Sequence, residues 1–322
     1  MIGHAAGLRR LDDIIWSLVA AVAAVVLIAS ATAGFHILLT TYAIPASTGL
    51  LLILGAYFYR AHRTDLKLAS TLESTAQVVV FAAVAAPLSY LAASTPLPLQ
   101  DAAFDAMDRA LGFDWKELLA VMNRWPELFV FMRVIYLSLT VQMTAVVLLL
   151  GLTGRLSWLR VYMLAFIFTA VLTIVLSALL PAEGVWLHYG LKANPAAMPV
   201  SHTSWPVFLG LRDGSYRLLM AVGSEGIITF PSLHAALAVI LIAAFWPVPI
   251  ARWLSAVVNF MMLAATPIDG SHYLVDVLAG IVIAILCLVA ARMLVMRMIA
   301  MPSVTAPSEL APTAARIASS PR

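Results

Sequence analysis

The chain has 322 residues, 63% of them hydrophobic and only 11% charged, with a mean hydropathy of +0.98. That balance excludes a soluble globular domain, and a net charge of +3 made of scattered Lys and Arg excludes a nucleic-acid-binding surface. The single cysteine, Cys287, excludes an internal disulfide and a cysteine-based zinc site.

Apolar runs of about twenty residues, each long enough to cross a bilayer as a helix, organise the chain. After a polar lead with Arg9 and Arg10, the first run covers 14–39. Small residues at 29–34 resemble a signal-cleavage site, but the run continues past them and is read as an anchor. The second and third runs cover 43–59 and 75–93, with RAHRTDLK at 60–67 between them. A polar connection, 94–127, carries Asp101, Asp105 and Asp108 at spacings of three and four against Phe104, Met107 and Leu111. It is read as an interfacial helix with a solvated acidic face. The fourth and fifth runs, 128–151 and 157–180, flank a tight turn. The longest connection, 181–230, holds Lys192, Arg212 and Glu225, with aromatic residues such as Trp186, Trp205 and Phe208 suited to roofing a site at the interface.

The sixth run starts at FPSLHAA, 230–236, and ends near Phe245; the seventh covers 253–266; the eighth runs from His272 to about Met296. The tail, 301–322, is rich in Pro, Ala, Ser and Thr and is read as disordered. The expectation is an all-α, polytopic helical membrane protein of about eight transmembrane helices. Its divisions are an N-terminal pair of spans at 1–73, a six-helix catalytic core at 74–300 with interfacial segments 94–127 and 181–230, and the tail.

An even number of spans puts both termini on one face, and the starts of the sixth and eighth spans together on the other. The terminal face collects Arg9, Arg10, Arg60, Arg63, Lys67, Arg155, Arg160 and Arg252, while most acids fall on the opposite face. The positive-inside rule then predicts cytoplasmic termini and a site that faces out of the cytoplasm, into a periplasm or a lumen.

Two stretches carry chemistry. Ionisable groups within membrane spans are expensive and point to function. In FPSLHAA, Pro231 suits the first turn of a helix, leaving the amides of Ser232, Leu233 and His234 as open donors for an anion, with the Ser232 hydroxyl beside them. In HYLVDVLAG, 272–280, His272 and Asp276 lie one helical turn apart, so the carboxylate can fix the imidazole tautomer. Arg212, in the long connection, is the candidate guanidinium for phosphate oxygens. A phosphate cradle (Ser232, Arg212), an oriented histidine (His272 with Asp276) and a second histidine (His234) fit phosphoryl transfer through a phosphohistidine. The alternative from another class is a membrane transporter with His234, His272 and Asp276 as a proton relay.

PSxH followed by a helix bearing HxxxD resembles the second and third motifs of the type 2 phosphatidic acid phosphatase superfamily. The forms FPSLHA and HYxxDxxxG look more like its inositol phosphorylceramide synthase branch. The resemblance implies His272 as nucleophile, His234 as acid and base, and Asp276 as the residue orienting the nucleophile. It implies a membrane lipid phosphate as substrate, and water, a polyol or a lipid hydroxyl as acceptor. No cofactor and no metal is expected. The sequence departs from the family where an arginine usually precedes the third-motif histidine by six residues, a place held here by Thr266. The region where the first motif belongs reads LLPAEG, 179–184; a near match, Lys116 to Pro126, has the wrong spacing.

Overall fold

A computed structural model describes residues 2–191, 199–223 and 226–300, with side chains from residue 5 onward. The expected all-α membrane architecture is what it shows: among the described residues seven helices are long and apolar enough to cross a bilayer, and one shorter apolar helix joins them. The segments expected at 301–322 and around Lys192 and Glu225 lie outside the described residues.

In chain order the helices are α1 (Ile2–Thr32), α2 (Ala43–Ala61), α3 (Leu66–Ala93), α4 (Asp101–Ala110), α5 (Trp115–Arg124), α6 (Pro126–Leu137), α7 (Leu139–Leu152) and α8 (Leu156–Leu179). They continue as α9 (Val185–His188), α10 (Trp205–Asp213), α11 (Leu233–Phe245), α12 (Pro249–Asp269) and α13 (Leu274–Ala300). Local signals set several starts. Pro126 and Pro249 open α6 and α12, where a missing N–H costs nothing. Asp65 and Asp114 cap α3 and α5 by accepting two backbone amides each. Two short strands, β1 (His36–Ile37) and β2 (Leu218–Leu219), pair in parallel and tie the loop after α1 to the long connection.

Helix α8 is the axis of the bundle. Its span is the most buried of the seven, and it packs against α1, α3, α7, α11 and α13. The core runs from Leu11 and Ile15 of α1 through Leu159 to Ile167 of α8 to Ile240 and Leu241 of α11. Helix α2 lies along α3 at the periphery. The boundary expected between 73 and 74 falls inside α3, and α1 is fastened to the core rather than set apart from it. Arg160 of α8 donates to Asp12 of α1 at 2.8 Å and to Ser70 of α3 at 3.3 Å, all three buried. Breaking such a pair would strand a buried charge, so the contact fixes where α1 can sit.

The fourth span is interrupted. Ser138 separates α6 from α7, and Tyr136, Leu137, Leu139 and Thr140 around that break all line one cavity. Gly7 of α1 lies against the Met298 and Ile299 backbone of α13, so the start of α1 and the end of α13 share one end of the bundle. At the other end, α4, α5 and α9 gather around Phe104, Trp115, Trp186 and Tyr273, over the starts of α11 and α13.

Candidate active site

Asp276 sits in the first turn of α13, fully buried, and its Oδ2 lies 3.2 Å from His272 Nδ1 and accepts the Tyr273 amide at 2.9 Å. With Nδ1 engaged by Asp276, Nε2 is the ring's candidate nucleophilic position. Gly270 keeps that edge open: a Cβ there would come within 2.9 Å of Nε2 and 2.3 Å of Cδ2. The Thr229 backbone also bonds the His272 ring.

His234 occupies the first turn of α11. The ring of Tyr136, from α6, stacks on it at 4.0 Å, and the Tyr136 hydroxyl lies 3.1 Å from His234 Nδ1. Both histidines line one cavity of about 590 Å³, together with Glu183, Gly270, Ser271 and Thr229. The histidines and Glu183 lie at one polar part of it; much of the remaining wall is apolar, with Ala82, Ala85 and Ala86 of α3, Met143 of α7 and Phe166 of α8. A polar site continued by a mainly apolar chamber fits an amphiphile.

The start of α11 differs from expectation. Its helix begins at Leu233, with Ser232 rather than Pro231 at the turn, and the Phe230–Pro231 peptide is cis. Ser232 is buried; its hydroxyl accepts the Ala235 amide at 3.3 Å and its own amide donates to the Asp276 carbonyl at 3.0 Å. It is a cap and a splice between α11 and α13, and it does not line the cavity. The expected cradle therefore shrinks to the amides of Leu233 and His234, the first two of α11, which have no partner within a helix. Gly280 makes the splice close: a Cβ there would meet the Ser232 carbonyl at 2.4 Å.

Arg212 is corrected as well. Its guanidinium donates to the Thr95 and Leu97 carbonyls, fastening α10 to the end of α3, and it is not part of the cavity wall. A guanidinium does reach the end of α12, from α6: Arg133 donates to buried Asp269 at 3.4 Å, one residue from Gly270. Thr266, where the family's arginine was missed, is buried and bonded to its own helix.

The acidic residues of α4 are not a solvated face. Asp101, Asp105 and Asp108 point inward and are buried, while Met107 and Leu111 are exposed. Asp108 accepts the Leu274 and Val275 amides at 2.7 and 2.9 Å, capping α13 two residues past His272. Asp101 accepts the Glu183 and Gly184 amides at 3.0 and 2.9 Å and the Tyr273 hydroxyl at 3.0 Å. Asp105 takes Tyr189 and Arg109. Burial pushes the Asp108 carboxyl up, and the two α13 amides pull it back. Ser271 completes the clamp, accepting the Val185 amide on its carbonyl and the Trp186 amide on its hydroxyl, each at 3.1 Å.

Asp108→Ala should lower the melting temperature in detergent by the loss of one good helix cap, about 1–2 kcal/mol, together with kcat. Unchanged stability and activity would show that α13 starts correctly without it. Tyr136, Arg133, Glu183, Gly270 and the three aspartates were not read as site residues from the sequence. The signals were present in a lone arginine within an apolar span and three acids at helical spacing.

A family model described as PAP2 superfamily matches residues 102–291, more than half of the chain and all of the elements from α4 to most of α13. No curated protein and no solved structure matches.

Proposed function

Because the chain belongs to the PAP2 superfamily, we propose that it cleaves or transfers the phosphate or phospho-headgroup of a membrane lipid through a phosphohistidine. The observation that carries this reading is the convergence of His272, held by Asp276, and His234, held by Tyr136, at the polar part of one mainly apolar cavity.

In the first step His272 Nε2 attacks phosphorus, the P–N bond forms, and the P–O bond to the leaving oxygen breaks as His234 supplies its proton. Asp276 stabilises the imidazolium character that develops. The amides of Leu233 and His234 serve the equatorial oxygens. In the second step the acceptor gives its proton to His234 and its oxygen attacks phosphorus, releasing His272. Water as acceptor makes a phosphatase; a polyol such as inositol, or a lipid hydroxyl, makes a transferase, and the synthase-like motif forms favour transfer. Purified protein quenched during turnover of a labelled lipid phosphate should carry an acid-labile, base-stable phosphoryl group. Steady turnover with no such group at any quench time would refute the covalent route.

The sidedness belongs to the same proposal: cytoplasmic termini and an extracytoplasmic site. In a Cys287→Ser background, cysteine at Ser215 should react with an impermeant reagent on intact cells, and cysteine at Arg63 only after permeabilisation. The reverse pattern would place the chemistry on cytoplasmic lipid.

A further inference from the structure

Glu183 is the one carboxylate in the wall of the catalytic cavity among the described residues, and no Lys or Arg accompanies it there. Its place is fixed rather than incidental. Its amide is held by Asp101, and the next residue, Gly184, approaches the Ser271 carbonyl so closely that a Cβ would come within 2.8 Å. Ser271 adjoins the nucleophile, so residue 183 borders the reacting centre.

A carboxylate beside an incoming phosphate is repulsive, most of all towards the dianion of a phosphomonoester. A phosphodiester carries one negative charge and is repelled less. The Glu183 charge then still lacks a permanent cation in the wall of a largely apolar chamber, where a poorly compensated charge is costly. A polyol headgroup would give Glu183 hydrogen bonds and leave that charge uncompensated. A headgroup bearing an ammonium supplies the missing cation and sits one short linker from phosphorus. Burial and the Asp101 carboxylate work against the Glu183 anion, and His188, which works for it, leaves its carboxyl still raised; a cation in the cavity offsets both.

Resting on the reading of the site as a phosphohistidine centre, we propose that Glu183 selects the donor lipid, and that the donor is a phosphodiester with an ammonium-bearing headgroup.

The test compares phosphatidylethanolamine, phosphatidylcholine, phosphatidylinositol and phosphatidic acid with matched acyl chains. Full-length protein in nanodiscs is assayed for kcat/KM and for trapped phosphohistidine. Wild type should favour the two ammonium donors by about 10–100-fold, the scale of one hydrogen bond or ion pair to a charged group. Glu183→Gln, which preserves shape, should erase that preference by slowing the ammonium donors and quickening phosphatidic acid. A wild-type preference for phosphatidylinositol or phosphatidic acid would overturn the proposal, and so would an equal loss on all four donors in Glu183→Gln. Phosphohistidine formed from an activated phosphate ester, with no turnover of either ammonium lipid, would overturn it while leaving the catalytic reading intact. Failure to form phosphohistidine from any donor would overturn both.

Discussion

His272→Ala should abolish the trapped phosphoprotein and lower turnover by about 10³-fold or more, whichever leaving group the substrate carries, as deletion of a nucleophile does. His234→Ala should behave differently. A nitrophenolate departs without a proton, so the first step on an activated ester should survive the loss of His234. A lipid or glycerol alkoxide is a poor leaving group, and there the loss should reach about 10²–10⁴-fold, the usual value of general acid help. The second step also needs His234 to activate the acceptor, so His234→Ala should accumulate phosphohistidine from the activated ester. Asp276→Asn should fall between the two, since the ring remains but its charge support is gone. Tyr136→Phe should weaken the natural reaction more than the activated one, because the hydroxyl 3.1 Å from Nδ1 acts through His234. Equal losses for both histidine variants on both substrates, with nothing trapped, would favour direct displacement by water.

Gly270→Ala should cost about 10²-fold in kcat, comparable to displacing a reacting group by an ångström. The added methyl would press on Cδ2 and Nε2 of His272 and on the Thr266 carbonyl, at 2.3, 2.9 and 2.8 Å. The imidazole has little room to retreat, with Asp276 on Nδ1 and the Thr229 backbone also bonded to the ring. Unlike a removed nucleophile, the displaced ring should still become phosphorylated, slowly, so the trapped species should persist at a reduced rate. The measurement is a single-turnover rate beside a melting curve. Near-wild-type phosphorylation would mean that the Nε2 edge is not where phosphorus arrives.

The helical membrane fold was legible because an apolar run of span length has few other stable forms. His234, His272 and Asp276 stood out for the same reason, as polar groups in a chain that otherwise avoids them, and the fold brings all three together. What stayed hidden depended on contacts distant in sequence. Arg212 looks like a phosphate ligand until the carbonyls of Thr95 and Leu97, more than a hundred residues earlier, occupy it. Ser232 looks like a donor until the Asp276 carbonyl and the Ala235 amide are counted. For α4 the period of the pattern was right and its direction was not. Periodicity separates two faces, but at a membrane surface the apolar one can be the outer one, as Met107 and Leu111 are. The break at Ser138 left no mark, since neither Gly nor Pro accompanies it.

Helix α11 has 13 residues, about 20 Å of rise, against a hydrocarbon layer of roughly 30 Å. With the Trp246 end of α11 at one interface, the shortfall would fall at the end that carries His234. The proposed reacting centre would then lie beneath the plane of the lipid phosphates, and a substrate would have to sink, or the leaflet dip, for the two to meet. Hydrophobic mismatch would thereby become a kinetic parameter. The same enzyme reconstituted with shorter-chain lipids would find its substrate already near the required depth, and a membrane that thickens would slow the reaction without altering a single side chain.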